Sequence, residues 1–253
     1  MNFISYNDCP ISINGENFYA VSAELSSRSA VEGSRVADGS LDKYASASPH
    51  DATISIDYFV TGQDERILFL TGNTPCSGSF GGIEFSGAYL DKYSVNIKPY
   101  KPVQISTSFR VFSGYKEALS SSSFYSTGID VANGARSDLA NFNEDNLGIN
   151  NPISIDYTIS CERIPNFVIG SEFPQDVILG KVKKQMTVMG ENIGGLIGYS
   201  GKGIAEVSIT PKTINNISRG QTLVCGGVVS SQRLSVQENG LVGGNISIEE
   251  SIR

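Results

Sequence analysis

The residues able to carry catalysis are few. His50 is the single histidine, inside the turn-like run Ser48-Pro49-His50-Asp51. A Ser-His-Asp relay also needs a serine presented on a sharp Gly-flanked turn. The nearest approach, Gly198-Tyr199-Ser200-Gly201-Lys202, has lysine where the motif closes on glycine. Gly201-Lys202 also suggests a phosphate loop, but Leu196 replaces the leading glycine and Gly203 the hydroxyl residue that would hold magnesium. A dinucleotide fingerprint begun at Gly201 fails at Glu206. Cys9, Cys76, Cys161 and Cys225 form no C-x-x-C pair, so a zinc site is not expected and they read as mostly buried thiols.

The carboxylates carry no better signal. Asp57 and Asp156 stand in identical pentapeptides beside Ser55 and Ser154, which places them on a solvated strand face. Asp64-Glu65 and Glu249-Glu250 read as turn and terminal surface charge. Asn216-Ile217-Ser218 and Asn245-Ile246-Ser247 match the glycosylation triplet, which has weight only in a secreted chain. Met1 to Gly15 holds no basic segment followed by an apolar run, so no secretory leader is expected. A reducing cytosol during synthesis is the plain inference. No catalytic residue, cofactor or metal is expected, and the chain reads as a protein other than an enzyme.

The elements that would position any site are strands. The 253 residues are 40% hydrophobic and 18% charged, with 27 glycines, a turn-rich globular composition. No apolar run approaches the ~20 residues of a membrane helix. Nineteen Lys and Arg against 26 Asp and Glu leave a net charge of −7, the wrong sign for a protein that grips phosphates. In Thr53–Val60, Ile54, Ile56, Tyr58 and Val60 share a face. Tyr89, Tyr93, Val95 and Ile97 do so in the next alternating run, with Leu90, Lys92, Ser94, Asn96 and Lys98 opposite. After the turn Pro99-Tyr100-Lys101-Pro102, Val103, Ile105, Thr107, Phe109 and Val111 share a face against Gln104, Ser106, Ser108 and Arg110. Period-two alternation on both sides of a short turn predicts an amphipathic hairpin. Short helices are expected only near Tyr115–Ser120 and Asp138–Asn141, where Ala and Leu cluster.

The chain also repeats itself. Ile54-Ser55-Ile56-Asp57-Tyr58 recurs as Ile153-Ser154-Ile155-Asp156-Tyr157, an offset of 99 (153 − 54). Phe69-Leu70-Thr71-Gly72 with Pro75 matches Phe167-Val168-Ile169-Gly170 with Pro174 at nearly the same spacing. Tyr93-Ser94-Val95 and Leu234-Ser235-Val236 each open a hairpin, 141 apart (234 − 93), and Asn239-Gly240 supplies the second turn. The two offsets imply an insertion of about forty residues in the second copy, placed around 182–214. A polar stretch, Ser120–Asn150, separates the copies. Two similar β domains are expected, residues 1–125 and 126–253.

With these hairpins in view, Gly81–Phe112, GGIEFSGAYLDKYSVNIKPYKPVQISTSFRVF, resembles a pattern of bacteriophage tail tube-type structural proteins. A Gly-rich lead-in precedes Leu-x-x-Tyr-Ser-Val, a Pro-containing turn and an alternating strand. Ser231–Glu250 resembles a related closing hairpin, although a simple tube subunit has one such domain rather than two. The resemblance implies a mainly β fold of two tube-like β-sandwich or barrel domains with long hairpins. It implies a virion protein, assembled in the bacterial host cytoplasm, whose hairpins join copies into rings stacked around a DNA channel. Three duplicated chains would give a pseudo-six-fold ring. Tyr93, Val95, Ile97, Val103, Ile105, Phe109, Leu234, Val236, Val242 and Ile246 would then form the assembly hairpins. Lys92, Lys98, Arg110, Asn245 and Glu249 would face the lumen or a neighbour. Partners would be further copies, other tail proteins such as sheath, terminator or hub, and passing DNA, with no membrane. A wall of acidic or mixed charge suits DNA that must slide.

A hub, neck or baseplate ring protein is the near alternative, separated by copy number per particle. A capsid decoration protein or glycan-binding adhesin is the alternative of another class. The absence of tryptophan tells against glycan binding, which favours exposed aromatic rings.

Overall fold

The computed structural model describes residues 11–18, 20–28, 31–35, 41–46, 51–59, 71–80, 83–99, 101–117, 136–144, 151–191, 204–212, 222–236 and 242–252, a few strand stretches in backbone only. The first half holds β1 (Ile11–Ile13), β2 (Glu16–Phe18), β3 (Ala20–Arg28), β4 (Val31–Arg35), β5 (Leu41–Ser46), β6 (Asp51–Phe59), β7 (Cys76–Phe80), β8 (Ile83–Ile97), β9 (Gln104–Val111) and β10 (Tyr115–Glu117). The second holds β11 (Arg136–Glu144), β12 (Asn151–Asn166), β13 (Asp176–Glu191), β14 (Ile204–Lys212), β15 (Leu223–Val236) and β16 (Val242–Ile252).

The fold is mainly β. Fourteen strands form one antiparallel sheet that does not close on itself, and β4 and β5 pair separately. Among the described residues there is no helix. The expected short helices are strands instead. Tyr115–Glu117 completes the flank of β8, with Tyr115 opposite Phe85. Asp138–Asn141 lies within β11, which pairs with β14. Helix propensities differ by tenths of a kcal/mol per residue, so a ladder at a sheet edge overrides them. Residues 118–120 lie outside the described residues.

Two blocks of four strands share one order. β3, β6, β9 and β8 lie side by side, and so do β12, β13, β16 and β15. Irregularities fall at matching places. Val21 is the extra residue between Ala20 and Ser22 where β3 pairs with β6, and Ile153 is the extra residue between Pro152 and Ser154 where β12 pairs with β13. Asp91 is extra where β8 pairs with β9, and Ser230 where β15 pairs with β16. Bulges of this kind set where a strand bends and which side chains face inward, so they mark register.

The pairings extend the match along whole strands. Leu25 faces Ile54 and Ile54 faces Phe109; Tyr157 faces Met186 and Met186 faces Ile248. The offset is 132 for the first two strands of each block (186 − 54) and 139 for the hairpins (248 − 109). The identical pentapeptides therefore hold unlike places. Ile54 is central in β6 and 1% exposed; Ile153 is a bulge residue and 38% exposed. The positional counterpart of Ile54 is Met186, and that of Ile153 is Val21. Likewise Leu234 corresponds to Val95 rather than to Tyr93, as the hairpin bulges require.

β8 joins the blocks. Its first half lies between β7 and the β9–β10 side, and its second half lies between β9 and β12. One continuous core results, holding Ile54 and Ile56, Leu90 and Val95, Ile155 and Tyr157, Met186 and Val188, and Ile246 and Ile248. Each fully buried aliphatic side chain contributes roughly 1.5–3 kcal/mol of transfer free energy. Away from this core, Asn14 (φ 51°) and Gly15 (φ 81°) turn β1 into β2. Positive φ at both central positions suits the twist of a two-residue hairpin. The Asn14 side chain also accepts a hydrogen bond from the Ser77 amide at 3.1 Å, tying the turn to β7.

Candidate assembly interface

The first hairpin is interior to its own chain. Tyr93, Val95, Ile97, Val103, Ile105 and Phe109 are all buried, at 5% exposure or less. Their alternation puts them on the core face of β8 and β9, and β12 covers the remaining edge of β8. Lys92 and Lys98 are exposed on or beside the opposite face. Arg110 is half-buried, its guanidinium 5.0 Å from the centre of the Phe112 ring.

The second hairpin is less covered. Ile246 is fully buried, whereas Leu234 is 43% exposed. The side chains of Val236 and Val242 lie outside the described residues, but their backbones are paired with each other. Asn245 is half-buried between Met189 and Arg233 on the flanking strands. Glu249 forms an ion pair with Lys183 at 2.8 Å. That hydrogen-bonded ammonium holds its carboxyl below the ordinary value. Beside it, Lys184 pairs with Glu250 at 3.2 Å.

The joint between the blocks shows what an edge-to-edge contact looks like in this protein. Ile155 lies opposite Ile97, Tyr157 opposite Val95 and Ile159 opposite Tyr93, an apolar row from two strands on one face. On the other face Asn96 donates to Asp156. Arg163 finishes the joint. It is 4% exposed, donates from Nε to the Leu90 carbonyl at 2.9 Å and from a terminal nitrogen to the Gly72 carbonyl at 2.8 Å. Its guanidinium also lies 5.4 Å from the centre of the Tyr89 ring. Leu90 precedes the bulge at Asp91, where the strands part, so Arg163 occupies a carbonyl that the ladder leaves behind. Burial lowers the Arg163 pKa and raises that of the nearby Cys161 thiol. Tyr157 is likewise raised by burial, and donates its hydroxyl to the Val224 carbonyl at 3.3 Å.

The outer surface beside the joint is of mixed charge. Asp91, Lys92, Glu162, Lys181 and Lys183 line an open cleft of about 320 Å³. Asp57 accepts a hydrogen bond from Ser22 at 2.6 Å, and Asp156 accepts from Asn96, so both repeat aspartates tie neighbouring strands together. Among the described residues, no group of three His, Cys, Asp or Glu could hold a metal ion. His50 and the glycine run before Lys202 lie outside the described residues. Cys76, Cys161 and Cys225 are free and buried. No protein-family model matches the chain, and no curated protein matches it significantly.

Two features of this surface escaped the sequence reading. Arg163 reads as one more charge in an alternating strand, and its only signal is a cation on the same face as Tyr157, Ile159 and Cys161. The importance of β3 is hidden because its inward residues are small, Ala20 and Ala23 before Leu25.

Proposed function

We propose that this chain is a structural subunit that assembles with copies of itself into rings of the bacteriophage tail tube type, and that DNA passes through their lumen without being bound tightly. The observation that carries this reading is the β8–β12 joint, which links two blocks of matching order and matching bulges head to tail. A joint that links the end of one block to the start of the next can be repeated between molecules, and a heterologous contact closes into a ring when its rotation allows.

On this reading the blocks belong to two duplicated tube-like β domains, residues 1–125 and 126–253, whose boundary falls outside the described residues. The second domain carries seven extra residues between its second strand and its hairpin (139 − 132), in place of the insertion of about forty around 182–214. Most of β13 after Val182 then belongs to the shared block. A trimer presents six such blocks. The mixed-charge cleft and the net charge of −7 suit a wall that does not trap DNA. The assembled location is the virion tail, with sheath, terminator or hub proteins as further contacts.

Negative-stain microscopy and light scattering of the purified full chain test the reading. Stacked rings or tubes built from trimers are the expected result. Single unstacked rings would move the assignment to a hub, neck or baseplate ring. A monomer at every concentration would overturn self-assembly.

A further inference from the structure

We propose that the outer edge of β3 in one copy adds as a strand to the open edge of β15 in the next, reproducing between chains the joint that β12 and β8 make within one. The proposal rests on the self-assembly reading and names the two surfaces that carry it. The second half of β8 has β9 on one side and β12 on the other. The corresponding half of β15, from Ser231 to Val236, has β16 on one side and, among the described residues, no strand on the other. Along β15, the described part of β14 pairs with Leu223–Val228. The counterpart of β12, by bulge and register, is β3, which pairs only with β6 among the described residues. Among the described residues, each edge is the half of the joint that the other lacks.

The internal joint dictates a register. Carrying the pairs Ile155–Ile97 through Ser160–Lys92 across the two offsets sets Ala23 opposite Val236, Leu25 opposite Leu234 and Ser27 opposite Gln232. On the other face Glu24 meets Ser235, Arg233 meets Ser26 and Arg28 meets Ser231, so no like charges stand directly opposite.

Side chains along both edges are in the state expected of an unfinished joint. Leu234 is 43% exposed where Val95 is 2% exposed. Ala23 and Leu25 are only half-buried where Ile155 and Tyr157 are buried. The side-chain nitrogen of Gln232 is buried without a hydrogen-bond partner among the described residues. A long open strand edge is a template for pairing, which proteins normally cover.

Disulfide trapping tests this in the full chain with Cys9→Ser as background. Ser26→Cys protein is mixed with Arg233→Cys protein under mild oxidation, and assembly is followed in parallel by light scattering. The expected result is a dithiothreitol-sensitive dimer in the mixture. It should be absent when Ser171→Cys, on the β12–β13 turn, replaces Arg233→Cys. The double variant Ser26→Cys/Arg233→Cys should give a covalent ladder ending at the ring size. Oligomers without the 26–233 link would overturn this joint while leaving self-assembly intact. Failure of the unmodified chain to form oligomers would overturn both.

Discussion

Val95 and Leu234 hold equivalent places on the two hairpins, each four residues beyond its hairpin bulge, Asp91 or Ser230, yet Val95 is 2% exposed and Leu234 43%. The difference is one strand. Tyr157 of β12 lies opposite Val95, and nothing described lies opposite Leu234 on that side.

Aspartate at the two positions therefore has different consequences. Val95→Asp buries a charge in the core and should unfold the chain or cost about 3 kcal/mol or more. Leu234→Asp should leave the urea midpoint within about 0.5 kcal/mol of the parent, as expected for an exposed site, while abolishing oligomers in light scattering. Normal assembly of Leu234→Asp would exclude this residue from the interface.

The two isoleucines that begin the identical pentapeptides should also behave differently. Ile54→Ser removes a buried aliphatic side chain and should cost about 3 kcal/mol. Ile153→Ser, at an exposed bulge, should cost less than about 1 kcal/mol. Chemical denaturation of both variants checks this, and equal losses would contradict the assignment of Ile153 to a bulge.

Arg163 holds two carbonyls with one rigid fork. Arg163→Met should cost about 2–3 kcal/mol, because the Leu90 and Gly72 carbonyls lose a charged donor. Arg163→Lys should recover only part of that, since an ammonium cannot reproduce the planar spacing of the guanidinium nitrogens. The readout is the urea midpoint at unchanged slope.

Burial pushes Cys76 up to about 12 and Cys225 up to about 11, and also raises Cys161. The thiolate is the reactive form. All three should resist iodoacetamide at pH 8 in the native protein and react fully in guanidinium chloride, as mass spectrometry of tryptic peptides would show. Rapid native labelling of Cys225 would place it outside the core.

The Glu249–Lys183 pair gives a small acid-side dependence. Because the folded carboxyl lies below its ordinary 4.5, the pair stabilises above that pH, and the contribution is lost as pH falls through the folded value. Both side chains are partly exposed, so the effect should be about 0.5 kcal/mol and weaken with salt. Glu249→Gln should remove this pH dependence from denaturation midpoints measured between pH 3 and 6.

Much of the fold is legible along the chain. Alternation in Tyr89–Lys98 and Val103–Val111 identifies two strands and the faces that Val95, Ile105 and Phe109 bury. The same alternation makes Ile155 and Tyr157 inward, as the structure has them. The short-helix expectation failed at Tyr115–Glu117 and at Asp138–Asn141, which pair in the sheet instead. The proposed assembly surface was legible only as a hairpin pattern, because inward residues look alike whether their own chain or a neighbour covers them.

The sequence by itself determined the strands and, away from bulges, the face each buries, since these depend on a two-residue period and on which side chains avoid water. The bulges at Asp91 and Ile153 reset that phase, so Leu90, read as outward, is buried and Ile153 is exposed. Tertiary structure alone decided the lateral place of each strand. Ile54-Ser55-Ile56-Asp57-Tyr58 and its identical copy became the second strand of one block and the first of the other. A strand has two hydrogen-bonding edges that its side chains do not encode locally, so partners distant in the chain select its position through ladder register, bulges and shared burial.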